Sequence, residues 1–239
     1  MPNLTYNYSP NFSTRKRNLK NIKFIVIHYT GMKSEIEAIK RLSDVNSKVS
    51  CHYFVKKSGD LVLMVSEKYI AWHAGKSNWG RYCSLNKYSI GIEIQNPGHN
   101  NNYSNFSSNQ IKTVIKLCKF LKRKYKIKRQ NFVGHSDISY ERKQDPGEKF
   151  PWKLLAQNHI SIWYNIKDKE LKKLRGINTS KLEKMEFVKN LRAIGYKINL
   201  NQKNYKKLFR AFQMRFRNSI VNGLVDKECL IISKTLANI

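Results

Sequence analysis

Acidic residues are scarce in this chain. Only 16 Asp and Glu stand against 46 Lys and Arg among 239 residues, a formal net charge of +30. Such an imbalance fits a polyanionic partner, whether nucleic acid, an anionic polymer or a membrane surface. It also fits a compositional bias, and the abundance of Lys, Asn and Ile makes bias the main source of the excess. No basic-aromatic motif of RNA-recognition type and no finger spacing accompanies the charge, so nucleic acid is not expected as a partner. Cysteine is limited to Cys51, Cys83, Cys118 and Cys229, with no C-x-x-C pair; these read as free, mostly buried thiols. No apolar run reaches 18 residues, which excludes a helical membrane span. Residues 1–20 lack the apolar core of a secretory signal, and Arg15-Lys16-Arg17 within them reads as a solvated arm. What is present suffices for a packed interior: 41% hydrophobic and 12% aromatic residues, enough for one large domain or a medium one with a small partner.

Along the chain, residues 1–21 read as an extended leader rich in Asn and Ser. The apolar run from Ile22 to His28 has the pattern of a strand buried on both faces. Ser34-Glu35-Ile36-Glu37 fits a capping box, with Ile36, Ile39 and Leu42 on one helical face. Tyr53-Phe54-Val55 and residues 61–65 flank a Lys-Ser-Gly-Asp turn as a hairpin. Residues 71–88 look like an aromatic-bearing loop, Ser89 to Ile94 like a second core strand, and Ser107 to Gln110 like the start of a helix with Ile111, Val114, Ile115, Cys118 and Leu121 inward. Phe132-Val133 forms a short strand. Strands alternating with helices predict an α/β domain over 22–165, a mixed central sheet flanked by helices. Residues 166–178 read as a linker. Beyond it, 179–239 read as a small all-helical domain, with Leu182, Met185, Val188 and Leu191 on one face. Gly195 stops that helix, and Asp226 caps the last one.

The stretch with most chemistry runs from Gly134 to Trp152. It holds His135 and Asp145, a nitrogen and an oxygen donor of the kind zinc accepts. Pro146-Gly147 forces a turn that would fix the Asp145 side chain. His28 ends a buried strand, a common way to present a ligand at a sheet rim. Each residue has a plainer reading: His28 as a hydrogen-bonded core histidine, Asp145 as a turn cap, Lys143 as a solvated charge, Glu93 as its salt-bridge partner.

Five blocks, in order, resemble the type-2 zinc N-acetylmuramoyl-L-alanine amidases, relatives of phage lysozyme amidases and peptidoglycan recognition proteins. They are Phe-Ile-Val-Ile-His-Tyr-Thr (24–30), Ala-Trp-His-Ala-Gly (71–75), Ser-Ile-Gly-Ile-Glu-Ile-Gln-Asn (89–96), Gly-His-Ser-Asp-Ile (134–138) and Arg-Lys-Gln-Asp-Pro-Gly (142–147). The resemblance covers roughly the first two-thirds of the chain and implies one Zn2+ held by His28, His135 and Asp145. It makes Glu93 the general base, with Ile92 and Ile94 on either side expected to desolvate the carboxylate and raise its pKa, and Lys143 the donor to the oxyanion, and it implies cleavage between N-acetylmuramic acid, or its anhydro form, and L-alanine. Peptidoglycan or muropeptides are then the partners. Trp72, His73, Ala74, Gly75, Trp79 and Asn96 are expected along the substrate groove, although loop aromatics often only pack. His52 is expected to support the site from behind, while His99 and His159 show no site context. Phage members carry a catalytic tyrosine just before the histidine matching His52. This chain has Cys51 there, so proton transfer falls to Glu93. The segment from Phe212 to Leu236 resembles a three-helix peptidoglycan-binding module. Two other readings remain at this point: a recognition module that binds without cutting, and a basic nucleic-acid binder. The missing signal sequence suggests cytoplasmic recycling, whereas a wall-binding module suggests the periplasm or cell envelope.

Overall fold

The computed structural model describes residues 4–198 and 205–239. In chain order the first part of the chain gives β1 (Leu4–Tyr6), β2 (Phe12–Ser13), β3 (Phe24–Tyr29), α1 (Glu35–Ser43), β4 (Tyr53–Val55), β5 (Leu61–Leu63), β6 (Ile70–Ala71), β7 (Asn78–Trp79) and β8 (Tyr82–Cys83). Then follow β9 (Ser89–Ile94), α2 (Ser108–Tyr125), β10 (Phe132–Gly134), α3 (His135–Ile138) and α4 (Trp152–Gln157). The remaining helices are α5 (Asp168–Leu174), α6 (Lys181–Ile194), α7 (Lys206–Phe216) and α8 (Lys227–Ala237). The architecture is mixed α/β, as expected. A six-stranded sheet in the order β1-β5-β4-β9-β3-β10 is parallel except for the β4–β5 hairpin.

Strand alternation explains how the sheet is covered. Ile25 and Ile27 of β3, Ile90, Ile92 and Ile94 of β9 and Phe132 of β10 share one core with Ile111, Val114, Leu117, Cys118 and Leu121 of α2. Ser107 caps α2 in a reciprocal box with Gln110. On the other face, Phe24, Val26 and Val133 pack with the C-terminal helices, through Leu191, Phe212 and Phe216. Phe54 and Val62 of the hairpin pack there against Ala38 and Leu42 of α1. Between these two apolar patches β9 offers only Ser89, Gly91 and Glu93 on the opposite side from its isoleucines. That polar gap is where the site forms.

Several expected faces shift. Ile36 is 80% exposed, whereas Leu42 is buried as expected, with Ala38 beside it and Ile39 packed against them. In α6, Leu182 and Met185 are exposed while Phe187, Leu191 and Ile194 are buried. The i, i+4, i+7 spacing of that second set follows the helical period better than steps of three do. Residues 166–178 carry α5, whose Leu171 is buried, and Arg175 makes two bonds to Glu228 at 2.6 and 2.7 Å. The segment is thus pinned to α8. The leader is pinned as well: β1 pairs with β5 and β2 with β6. Arg17, expected in solvent, is buried and donates to Ser89 O at 2.6 Å and Glu67 O at 2.9 Å. Of the cysteines, Cys83 alone is exposed.

Candidate active site

Parallel register brings the first two groups together. His28 and Glu93 are directly paired positions of β3 and β9, so both side chains leave the same face at the same level. Gly134 pairs with Ile27, which places His135 one step beyond β10, level with His28. The rims of three parallel strands therefore deliver the groups to one edge, the usual ligand edge of such sheets. Asp145 arrives by a loop closed when Ser136 N donates to Asp145 O at 2.8 Å. Gly147, at φ +78°, turns the chain where a Cβ would strike Tyr103 Oη at 2.6 Å.

His28 Nδ1, His135 Nδ1 and Asp145 Oδ2 lie 2.9–3.1 Å from one another, all on buried residues. Zinc bonds of about 2.0–2.1 Å in a tetrahedral arrangement set neighbouring donors roughly 3.3 Å apart. Two nitrogens and a carboxylate oxygen at these separations fit a metal of that kind. Burial, and then the neighbouring His135, pull the His28 pKa down to about 4 against the attraction of Asp145, so this imidazole is neutral at pH 7. Burial raises the Asp145 carboxyl, but His135 and His28 outweigh it and hold the group well below the usual carboxylate range. Both protonation states are those a metal needs.

Glu93 lines a cavity of about 330 Å³ together with Lys143, His73, Trp72, His135 and Asp145. Burial and then the Asp145 charge raise the Glu93 carboxyl well above its ordinary value, and Lys143 opposes them. Its Oε2 is buried without a hydrogen-bond partner. The isoleucines on either side, expected to desolvate it, point to the opposite face; the surrounding site does so instead. The described residues pair no carboxylate with Lys143, which faces the same cavity.

Other expected groove residues divide. Trp72 and His73 line the cavity. Trp79 is 4% exposed and packs against Tyr196 at 4.9 Å, so it belongs to the core under the C-terminal helices. Asn96 is buried and braces its own loop, donating to Ser104 O and accepting from Gly98 N. Ala74 contributes its carbonyl, which lies 3.1 Å from His135 Nε2. Gly75 stands against Arg142, whose Nη2 donates to Ala74 O at 2.5 Å and Lys76 O at 2.9 Å. His52 lies one layer back, its ring 5.7 Å from that of His73 and its Nδ1 accepting from Gly91 N. Sequence reading gives Arg142 no role and His99 no site context, yet both line the cavity. His99 stacks on Tyr103 at 4.4 Å and bonds Tyr29 Oη at 2.8 Å. The available signal was position: His99 follows the carboxyl end of β9, the functional edge.

The family model for N-acetylmuramoyl-L-alanine amidase matches residues 18–148, which contain His28, Glu93, His135, Lys143 and Asp145. The chain belongs to that family. Over 229 residues it is 33% identical to the N-acetylmuramoyl-L-alanine amidase AmiD of Escherichia coli, covering 90% of this chain and 82% of that one. It is 30% identical to the 1,6-anhydro-N-acetylmuramyl-L-alanine amidase AmpD of Haemophilus influenzae over 162 residues, 60% of this chain and 85% of the relative. The structure of E. coli AmiD with anhydro-N-acetylmuramic acid-L-Ala-D-γ-Glu-L-Lys superposes with a TM-score of 0.82 at 31% identity, over 95% of this chain and 91% of the other. AmpDh3 of Pseudomonas aeruginosa gives 0.81 at 29% identity, covering 100% and 98%. Such coverage takes in the helical region beyond the amidase family match.

Within this amidase, Gly91 is required by a close approach. A Cβ there would stand 2.4 Å from His73 Cγ, inside any tolerable contact. Gly91→Ala is expected to push the ring aside and destabilise the fold by about 1–3 kcal/mol, as overpacking does. A lowered urea midpoint would show it, and an unchanged midpoint would mean that the ring has room to move.

Proposed function

We propose that this chain is a zinc-dependent hydrolase of the amide between N-acetylmuramic acid, or its anhydro form, and the L-alanine of peptidoglycan fragments. The observation that carries the reading is the convergence of His28 Nδ1, His135 Nδ1 and Asp145 Oδ2 within 3.1 Å of one another, beside Glu93, whose buried Oε2 has no hydrogen-bond partner. Zinc held by those three would supply Lewis-acid polarisation and a water whose pKa falls to about 7.

The rest is done by the protein. Glu93 is set to take the proton released as water attacks, and to return it to the departing alanine nitrogen. A carboxyl raised by burial is a better proton carrier near neutral pH than an ordinary glutamate. Lys143 places a positive charge where the carbonyl oxygen turns anionic, and losing one such donor costs about 3 kcal/mol of barrier. Trp72 and His99 wall the cavity and orient the substrate. The names of AmiD and AmpD and the muropeptide in the AmiD structure support this substrate class.

The test is digestion of defined muropeptides followed by mass analysis. Free stem peptide should appear, should cease when a chelator strips the protein, and should return with one equivalent of Zn2+. Tight muropeptide binding with no cleavage at any zinc level would favour a recognition module instead.

A further inference from the structure

The segment expected in the substrate groove, Trp72 to Gly75, also sits directly behind both imidazole ligands, where hydrogen-bond directions can be worked out one proton at a time. A carbonyl oxygen only accepts, and a hydroxyl has a single proton to donate. Ser89 Oγ lies 2.6 Å from Leu85 O, so its proton is directed there. Its other contact, 3.1 Å to His73 Nε2, is then a bond it accepts, and His73 carries its proton on Nε2. His73 Nδ1 is left as a lone pair 3.0 Å from His28 Nε2, which must donate to it. His28 therefore presents a bare Nδ1 to the site, and its 2.9 Å contact with Asp145 Oδ2 is one between two ligand atoms, not a hydrogen bond.

The second ligand is set by a shorter route. His135 Nε2 lies 3.1 Å from Ala74 O and donates to it, which again leaves Nδ1 bare. Arg142 Nη2 lies 3.3 Å from the same ring nitrogen, but Ala74 O, Lys76 O and Ser139 Oγ, at 2.5, 2.9 and 3.0 Å, are all nearer acceptors for its two protons. One side chain holds both halves of this arrangement: Asn86 Oδ1 accepts from His73 N at 3.2 Å and from Ala74 N at 2.7 Å. Burial, and then the neighbouring His28 and His52, keep His73 neutral, as the proton count requires.

We propose that Ser89, acting through His73, and the Ala74 carbonyl together fix the tautomers of His28 and His135, so that both Nδ1 lone pairs face the metal before it arrives. Ser89 and His73 are positioning residues, and the inference rests on the reading of His28, His135 and Asp145 as the metal site. Without the relay His28 is free to carry its proton on Nδ1, pointing an N–H where a ligand lone pair is needed. Partners behind a ligand imidazole commonly change metal affinity 10- to 100-fold when removed.

The experiment pairs nitrogen NMR of the zinc-free protein with chelator-competition titration of Zn2+, on wild type, Ser89→Ala and Ser89→Thr. In zinc-free wild type, His28 and His73 should both show the Nε2–H tautomer. Ser89→Ala should mix the tautomers of both rings and weaken zinc binding 10- to 100-fold, and Ser89→Thr, which keeps a hydroxyl, should restore both. An Nδ1–H tautomer at His28 in wild type, or unchanged affinity in Ser89→Ala, overturns the relay while leaving the metal site intact. Should Ser89→Ala fail to fold, the wild-type tautomer alone decides. Failure of wild type to bind one zinc overturns the metal site and the relay together.

Discussion

Replacing Glu93 with alanine should lower kcat on a muropeptide by a factor of about 10²–10⁴, or roughly 3–5 kcal/mol of barrier. Zinc content should stay at one ion per chain. The expectation follows from register: Glu93 is the directly paired neighbour of His28, on the same face of the sheet, yet it lies outside the three-donor cluster. Its buried Oε2 has no partner, so no structural bond is lost on its removal. Glu93→Gln sharpens the comparison because it keeps the shape and removes the basicity. Its kcat should fall about as far as that of the alanine variant. Mass analysis of digests gives the readout, and equal yields of free stem peptide from wild type and Glu93→Ala would remove this carboxylate from the mechanism.

The strands of this amidase could be read from sequence because their chemistry alternates at short range. The run from Ser89 to Ile94 shows isoleucine at every second position, and the structure places those side chains in one core with α2. The same alternation shows why the sequence argument for Glu93 reached a raised pKa by the wrong cause. Neighbours in a strand face away from each other, so flanking isoleucines cannot desolvate the carboxylate between them. What sequence does not show is which strand lies beside which. The pairing of His28 with Glu93, and the step that brings His135 level with them, exist only once β9, β3 and β10 are adjacent. Motif resemblance supplied that convergence in its place.

Misplaced residues share a related cause. Trp79 in a loop looks available to a sugar, but its burial is decided by Tyr196, more than a hundred positions later. Arg17 in a basic cluster looks solvated until strands β2 and β6 pair and lay it against Glu67 and Ser89. Ile36 and Leu182 are apolar residues near helix starts that no element among the described residues covers. In each case partners distant in sequence decide burial, and local periodicity carries no record of them.

Asp137 joins the C-terminal helices to the central sheet, and Asp137→Ala should be the most destabilising single change outside the His28, His135 and Asp145 cluster. Arg215 of α7 bonds Asp137 Oδ2 at 2.7 Å with both side chains about 1% exposed. Tyr196 Oη donates to Asp137 Oδ1 at 2.6 Å, and Gly134 N donates to Oδ2 at 2.7 Å. Arg215 also donates to Phe132 O at 2.8 Å and lies over the ring of Trp152 at 4.6 Å. Removing the carboxylate leaves a guanidinium buried without its counter-charge, and breaking such a pair costs about 3–5 kcal/mol. At roughly 2–4 °C per kcal/mol for a chain of this size, Tm should fall by about 6–20 °C. The cost arises mainly from the stranded charge, so Asp137→Ala combined with Arg215→Met should lose less than Asp137→Ala alone. Thermal melts of the two variants separate the cases: a double variant no more stable than the single would mean that the lost bonds to Tyr196 and Gly134, and not the orphaned arginine, set the penalty. Because Asp137 accepts from the residue immediately before His135, Asp137→Ala should also weaken zinc binding, linking the hold of the C-terminal helices to the placement of a proposed metal ligand.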